Sequence, residues 1–467
     1  MRTMNMVGWS MNAGYHPDKT TGYGRFGSAV HEALLRAGVA DLGAVGINEE
    51  IPDPEGYAPV AFYAATPPHV VGWREGQLAA LFTMWEFTEM PVGFRENVPE
   101  FGRLFVPSLQ NQELFSAFND DVRYIPLAVG PEWGFRKRKP PEETFNFLTG
   151  GAGPRKGCTT VVRAFDKVFH DWKPSWGPRP HLTVRATTLF EPPGPSFGII
   201  GNTHSAENVT YLRRTLKPEV EIELYADSHC FVSGSKGEGW GFMPHQAIAQ
   251  GMPTILGEAH GHAAFAKYGL PIRTHLQKPE IPTHWGEAGE EWEPDFQEMC
   301  DFMEDVYHTY DFHVAYARAN AWKIAEEFSW DKTAAKLIEN LPELGNEWIP
   351  EDAPWVEMPQ RLYTVRVNQH SPWCINGRLE TYDPGYTYRV PWADKLLMAQ
   401  AGHLTQDCMD PRETGQYAWV ADEDTAPERC PYRRLKNRGN HFFYGSFSVA
   451  TSHQGQWNRK SSAPSFG

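Results

Sequence analysis

The chain has 467 residues, of which 41% are apolar and 22% charged, and its net charge is −15. That length suggests about three domains, and the composition excludes a wholly disordered chain. The balance of 58 acidic against 43 basic residues argues against a protein that coats nucleic acid or an anionic membrane. Cysteines 158, 230, 300, 374, 408 and 430 form no CxxC pair, so neither a disulfide framework nor a Cys-rich zinc site is expected, and a reducing cytoplasm fits. No apolar run approaches the roughly 18 residues of a spanning helix, and the N-terminus lacks the apolar run of a signal peptide.

In chain order, short apolar runs predict strands at Met4–Trp9, Gly43–Ile47, Leu81–Trp85, Leu104–Pro107 and Tyr124–Leu127. Between the first two, Phe26, Val30, Ala33, Leu34 and Ala37 recur at helical spacing, and Gly38 supplies a C-cap. The basic run after Phe135 reads as a connector. A second series of strands follows at Phe145–Leu148, Leu182–Ala186, His229–Ser233 and Thr254–Leu256, with a helical pattern over Gly157–Phe169. The alternation predicts an α/β architecture with mainly parallel sheets. Residues 1–140 and 141–341 are read as two α/β domains, 342–358 as a linker, 359–404 as a small β-rich module and 405–467 as a loosely ordered tail. Within the module, Leu362–Val367 and Tyr386–Val390 alternate as strands do, and Ala393–Ala401 reads as a short helix.

Three motifs carry chemistry. Gly22-Tyr23-Gly24-Arg25-Phe26-Gly27 matches GxGxxG, but about ten mostly polar residues separate it from the preceding strand, which weighs against a dinucleotide fingerprint. A glycine-rich helix N-terminus that admits a phosphate or a sugar is the better reading, with a plain helix-starting turn as the alternative. Arg155 and Lys156 stand where a helix opens after a strand. Open α/β sheets bind ligands there, and two cations suit a diphosphate. The third motif runs from Ser235 to Pro253. It sets the carboxylate of Glu238 in a glycine-rich turn, with the amides of Gly239, Trp240, Gly241 and Phe242 beside it and Gln246 in the first helical turn. Carboxylate, amides and cations together suit a polyhydroxylated anion such as a nucleotide-sugar.

Glu238-Gly-Trp-Gly-Phe-Met-Pro-His-Gln-Ala-Ile-Ala-Gln-Gly-Met-Pro253 resembles the E-G-F-G-L-P-x-x-E-A-M-A-x-G-x-P motif of the retaining GT-B glycosyltransferases of family 4. Shorter matches in the same order, including Gly22-Tyr-Gly-Arg-Phe26, Val106-Pro-Ser108, Arg155-Lys-Gly157 and Leu224-Tyr-Ala-Asp227, extend the resemblance from about Met4 to Leu341. It implies two facing Rossmann-like domains, with the donor on the second and the acceptor on the first. It implies that Arg155 and Lys156 hold the donor diphosphate, that Gly22 and Gly24 line the phosphates from the opposite domain, and that Glu238 contacts the donor sugar. The glutamate that commonly binds the ribose in that family is Gln246 here. The resemblance implies no cofactor and no metal beyond the donor substrate itself.

Glu86, at the end of a predicted strand, is a further candidate for the cleft. His260-Gly261-His262 offers no third ligand for a metal. Asp422-Glu423-Asp424 and the cluster Arg433, Arg434, Lys436 and Arg438 read as solvated charge. Tyr382-Asp-Pro-Gly385 and its surroundings resemble small modules of tailed-phage proteins, which points to a phage-encoded protein acting in the host cytoplasm. The expected function is transfer of a sugar from a nucleotide-diphosphate sugar to a modified DNA base, a virion protein or a glycan. Nucleic acid is a possible partner that the net charge does not favour. The alternatives are a catalytically degenerate GT-B protein that binds glycan or nucleotide, and a GT-B phosphorylase or epimerase.

Overall fold

The computed structural model describes residues 2–7, 22–41, 57–70, 72–151, 153–186, 208–213, 216–279, 288–347, 349–350, 352–358, 362–366, 371–375, 378–382, 387–391 and 435–436. Its N-terminal half holds strands β1 (Arg2–Val7), β2 (Val39–Asp41), β3 (Val60–Ala64), β4 (Gly72–Arg74), β5 (Leu78–Phe82), β6 (Arg103–Val106) and β7 (Val122–Tyr124). All but β4 form one parallel sheet in the order β2-β1-β3-β5-β6-β7. Every residue of β3 is buried, as a parallel strand covered on both faces requires. β3 is not among the expected strands, although Val60–Ala64 is a short apolar run of the same kind as those that predict the others. The expected strand at Gly43–Ile47 lies outside the described residues.

The second half repeats the plan with β8 (Thr144–Gly150), β9 (Arg179–Ala186), β10 (Val209–Arg213), β11 (Cys230–Val232), β12 (Thr254–Gly257) and β13 (Leu270–Ile272). These are parallel in the order β10-β9-β8-β11-β12-β13. A hairpin of β14 (Thr274–Gln277) and β15 (Glu291–Pro294) follows. In each sheet the chain winds outward from its first strand on one side, then returns to the other. The resulting switch points, β1/β3 and β8/β11, are where open α/β sheets hold ligands at their carboxyl ends.

The helix Gly22–Arg36 buries Phe26, Val30, Ala33 and Leu34 on one face, and Gly38 follows it at φ +85°. Its apolar stripe therefore faces the core, while an αL glycine ends the helix without strain. The helix Cys158–Phe169 does the same with Val161, Val162, Phe165 and Phe169, and packs on the helix Phe296–His308. The core around the N-terminal sheet runs on into Trp240, Ile248 and Phe265 of the second half.

After the helix Tyr310–Glu327 the chain returns to the first half. The helix Trp330–Glu339, capped by Ser329, packs on the helix Gly22–Arg36. Thr333 Oγ1 donates to the Pro126 carbonyl at 2.8 Å, and Arg103 pairs with both Asp121 and Glu343 at 2.8 Å. Finally β16 (Trp355–Glu357) pairs antiparallel with β4. The two halves are thus joined by two crossings.

Beyond this, Leu362–Arg366 pairs antiparallel with Thr387–Pro391, and Ser371–Ile375 with Arg378–Tyr382. Leu435–Lys436 adds to the edge of the second pair. The expected helix at Ala393–Ala401, the acidic run Asp422–Asp424 and the rest of the tail lie outside the described residues. Among the described residues no helix is long and apolar enough to cross a membrane.

Candidate active site

The site forms where the turns after β8 and β11 meet, at the switch point of the second sheet. After β8, Pro154–Lys156 makes a single 3-10 turn, and Gly157 (φ +60°) starts the helix Cys158–Phe169. After β11, residues 234–241 make the glycine-rich turn that enters the helix Phe242–Ala249. The turns are tied by backbone: Lys236 N donates to the Arg155 carbonyl at 2.8 Å, and Trp292 N donates to the Lys236 carbonyl at 2.7 Å. The Lys236 side chain bridges Glu293 at 2.7 Å and Glu291 at 3.3 Å, which fixes the hairpin β14–β15 against the turn. Burial alone would lower its pKa, but the two carboxylates more than offset that.

Glu238 is the centre of the cluster. Lys156 Nζ donates to its Oε1 at 2.6 Å, Ser235 Oγ donates to the same oxygen at 2.7 Å, and Arg155 lies 3.7 Å from Oε2. Burial would push this carboxyl up, but the Lys156 and Arg155 cations together hold it well below the usual carboxylate range. Burial lowers the pKa of Lys156, against the pull of Glu238. The expected catalytic trio of Arg155, Lys156 and Glu238 is therefore one contiguous ion cluster. Such a cluster of coupled, half-buried charges is strongly polarised.

The first half closes over it. Arg155 Nη2 donates to the Glu86 carboxylate at 3.4 Å, and Arg155 Nη1 donates to the Gly237 carbonyl. Glu86 follows β5 at the carboxyl end of the N-terminal sheet, the side that faces the second half. A Cβ on Gly237 would fall 2.1 Å from the Glu86 carbonyl, so glycine is what lets the two halves meet there. Gly239 likewise sits against the Met84 side chain. Thr88 and Glu89 donate backbone bonds to Glu290 and Ala288 of the second half at 3.1 and 3.0 Å.

The other expected donor residues divide. Gly22 and Gly24 lie in the first turn of the helix Gly22–Arg36, and a Cβ on Gly22 would meet nothing within 4 Å. Between and beside them, Tyr23 hydrogen-bonds Thr83 at 3.2 Å and accepts from Met84 N at 3.2 Å, which anchors the segment leading to Glu86. Trp240 turns its side chain into the core, where Nε1 donates to His245 Nδ1 at 2.9 Å and the ring packs on Phe265 and Phe328. Only its backbone remains for a ligand. Gly241 (φ +99°) and the half-buried Phe242 begin the next helix, with Phe242 near Trp330.

Gln246 is buried, 3% exposed, and its side chain accepts from Arg25 Nη1 at 3.4 Å. Arg25 also pairs with Glu221 at 2.7 Å, and Arg185 lies 2.9 Å from the other oxygen of Glu221. The group Arg25, Gln246, Glu221 and Arg185 thus links the first helix of one half to the second half beside the Glu238 turn. Sequence reasoning missed Arg25, Arg185 and Glu221. Arg25 stood inside a glycine motif, and the two others lie on elements whose solvent and core faces the pattern does not separate. Arg138, in the basic run read as a connector, is buried and donates to the carbonyls of Tyr225, Ala226, Ser228 and Gln250. It caps two helix ends at once. Among the described residues no group of three or more His, Cys, Asp or Glu is placed to hold a metal.

Residues 108–337 match the model of family 4 glycosyltransferases in conflict systems. No curated protein sequence matches the chain. Among solved structures, the chain is similar to sucrose-phosphate synthase from Thermosynechococcus elongatus, at TM-score 0.54 and 12% identity, over 74% of this chain and 99% of that one. A glycosyltransferase from Rickettsia africae ESF-5 matches at TM-score 0.52 and 12% identity, over 74% of this chain and 99% of that one. An α,α-trehalose 6-phosphate synthase from Burkholderia multivorans matches at TM-score 0.50 and 12% identity, over 73% of this chain and 96% of that one. The chain has the GT-B fold of the glycosyltransferases, and its segment 108–337 carries the family 4 match.

Proposed function

We propose that the protein is a retaining glycosyltransferase that moves a sugar from a nucleotide-diphosphate sugar to an acceptor held by the first half. The observation that carries this reading is the joining of Arg155, Lys156 and Glu238 into one cluster at the β8/β11 switch point, within the segment that matches the family. In this reading the donor diphosphate takes the two cations, and Glu238 turns to the sugar hydroxyls. Charge that develops on the leaving diphosphate is met by Arg155, Lys156 and nearby backbone amides, which are fixed in place before the reaction. Retention follows from attack on the face that the diphosphate leaves, through an oxocarbenium-like transition state. The reading requires no metal, because two side-chain cations already face the diphosphate. Glu86, across the cleft on the acceptor side, orients the acceptor hydroxyl. The buried free thiols of Cys158, Cys230 and Cys300 support action in a reducing cytoplasm.

The test is nucleotide release from UDP-, GDP-, ADP- and TDP-sugars by the wild type and by Glu238→Ala. The reading predicts release from one donor, reduced at least about 100-fold in a variant that remains folded. A folded Glu238→Ala protein with full activity would refute it. Donor binding with no release across a broad acceptor panel would favour a degenerate binding protein instead.

A further inference from the structure

Directly behind the Glu238 turn lies a pair of ionisable groups that the proposed chemistry does not use. His260 and His262 stand on the short turn His260–Ala264 that follows β12, and they are 3% and 0% exposed. Their rings are 4.3 Å apart. The turn is fastened to the site by a bond from Gly261 N to the Glu238 carbonyl at 2.9 Å. A Cβ on Gly261 would fall 2.5 Å from the Gly239 carbonyl oxygen, and the His262 ring lies against Gly241.

Packing alone does not account for this pair. None of the four ring nitrogens makes a hydrogen bond of good geometry. Each ring only approaches a backbone group, at Ser235 for His260 and at Gly257 for His262. An apolar ring would fill the space without burying unsatisfied nitrogens. His260 also has φ +49°, the one positive value at a non-glycine among the described residues. Backbone strain clusters at functional sites and buried unpaired polar atoms call for an explanation, and both features occur at this one turn.

The charges around the pair are Glu238, Lys156 and Arg155. Trp292 packs against His260 from β15, where the neighbouring Glu291 and Glu293 are both paired with Lys236. The helix Leu109–Ser116, also packed on this turn, brings only the exposed Glu113. In the free protein the two cations of the cluster are balanced by Glu238 and Glu86. Both rings are therefore neutral: burial lowers His262 to about 4 and His260 well below its ordinary value. A diphosphate adds two negative charges to that balance. One charge at roughly 6 Å, in a medium of effective dielectric about 20, raises a histidine pKa by roughly two.

We propose that the His260–His262 pair takes up a proton when a nucleotide-diphosphate sugar binds at Arg155 and Lys156, giving the donor site a third positive charge that the free protein lacks. The proposal rests on the donor-site reading above. It makes donor affinity depend on pH, tighter in mild acid, with the proton held beside the leaving diphosphate during transfer.

The experiment is calorimetric titration with UDP-, GDP-, ADP- and TDP-glucose in two buffers of different ionisation enthalpy, at pH 6.5 and 8.5. The diphosphate of these donors is esterified at both ends, so it does not itself titrate in this range. The expected result is uptake of about half to one proton per donor bound at pH 6.5, little at pH 8.5, and about tenfold tighter binding at the lower pH. His262→Gln and His260→Gln should remove the uptake and keep the affinity seen at pH 8.5. Binding by the wild type without proton uptake overturns the proposal, and so does uptake that persists in both variants. If none of the four donors binds, the donor-site reading fails and this inference fails with it. The wild-type measurement stands whether or not either variant folds.

Discussion

Replacing Lys156 by methionine removes a charge while keeping most of the side chain's bulk. In the folded protein Lys156 Nζ sits 2.6 Å from Glu238 Oε1, with the two side chains 23% and 12% exposed. Stripping one partner from a fully buried ion pair costs about 3–5 kcal/mol. Here Glu238 keeps Ser235 at 2.7 Å and Arg155 at 3.7 Å, and both ions retain some water, so the expected loss of stability is about 1–2 kcal/mol. A domain with ordinary stability of about 5–15 kcal/mol stays folded after such a loss. Turnover should fall further, by about 100- to 1,000-fold, because a fixed positive charge no longer faces the leaving diphosphate. The stability gap should also depend on pH. The folded carboxyl of Glu238 is held below its unfolded value, so its favourable contribution is complete above a pH of about 4.3 and is lost as pH falls below that. Urea denaturation at pH 7 should separate wild type from Lys156→Met, and the gap should narrow by pH 3.5. A folded variant with activity within about threefold of wild type would refute the reasoning, as would a stability gap that does not change with pH.

Three further outcomes follow from the geometry. Gly157→Ala would place a Cβ 1.8 Å from the Gly234 carbonyl at φ +60°, so it should destabilise by more than about 2 kcal/mol, and a melting temperature within 2 °C of wild type (about 1 kcal/mol or less) contradicts this. Arg138→Met strips the donor from three buried carbonyls and one part-buried carbonyl and should cost about 3 kcal/mol in urea denaturation, with an unchanged midpoint as the refuting result. His245 and His229, lowered by burial to about 3 and about 4, are neutral when folded but bind protons when unfolded below a pH of about 6.5. Each should therefore remove up to about 1.4 kcal/mol of stability per pH unit as pH falls from 6.5 towards 4, and a flat profile of denaturation midpoints over that range would contradict their burial as neutral rings.

The turns that carry the site were legible because their residues are chemically unusual for their places. Two cations at the start of a helix and a carboxylate in a glycine-rich turn are poorly explained by stability, and the structure puts Arg155, Lys156 and Glu238 in contact. The same reasoning failed where the informative partner was distant in sequence. Arg25 meets Glu221 and Gln246 only because the two halves close, and nothing near residue 25 shows that. Arg138 reads as one more charge in a basic run, yet it is the cap of two helix ends. Trp240 is expected to offer only its backbone amide to a ligand, and its ring belongs to the core beside His245 and Phe265. The return of residues 330–357 to the first half is likewise invisible to local pattern, because β16 has its partner, β4, more than 280 positions earlier.

The most direct test of the donor site is a crystal structure of the chain soaked with the nucleotide-sugar that shows turnover. The account predicts a diphosphate within hydrogen-bond distance of Arg155 and Lys156, with Glu238 on the sugar hydroxyls and Glu86 released from Arg155. A donor bound elsewhere, with the Lys156–Glu238 pair still intact at 2.6 Å, would contradict it.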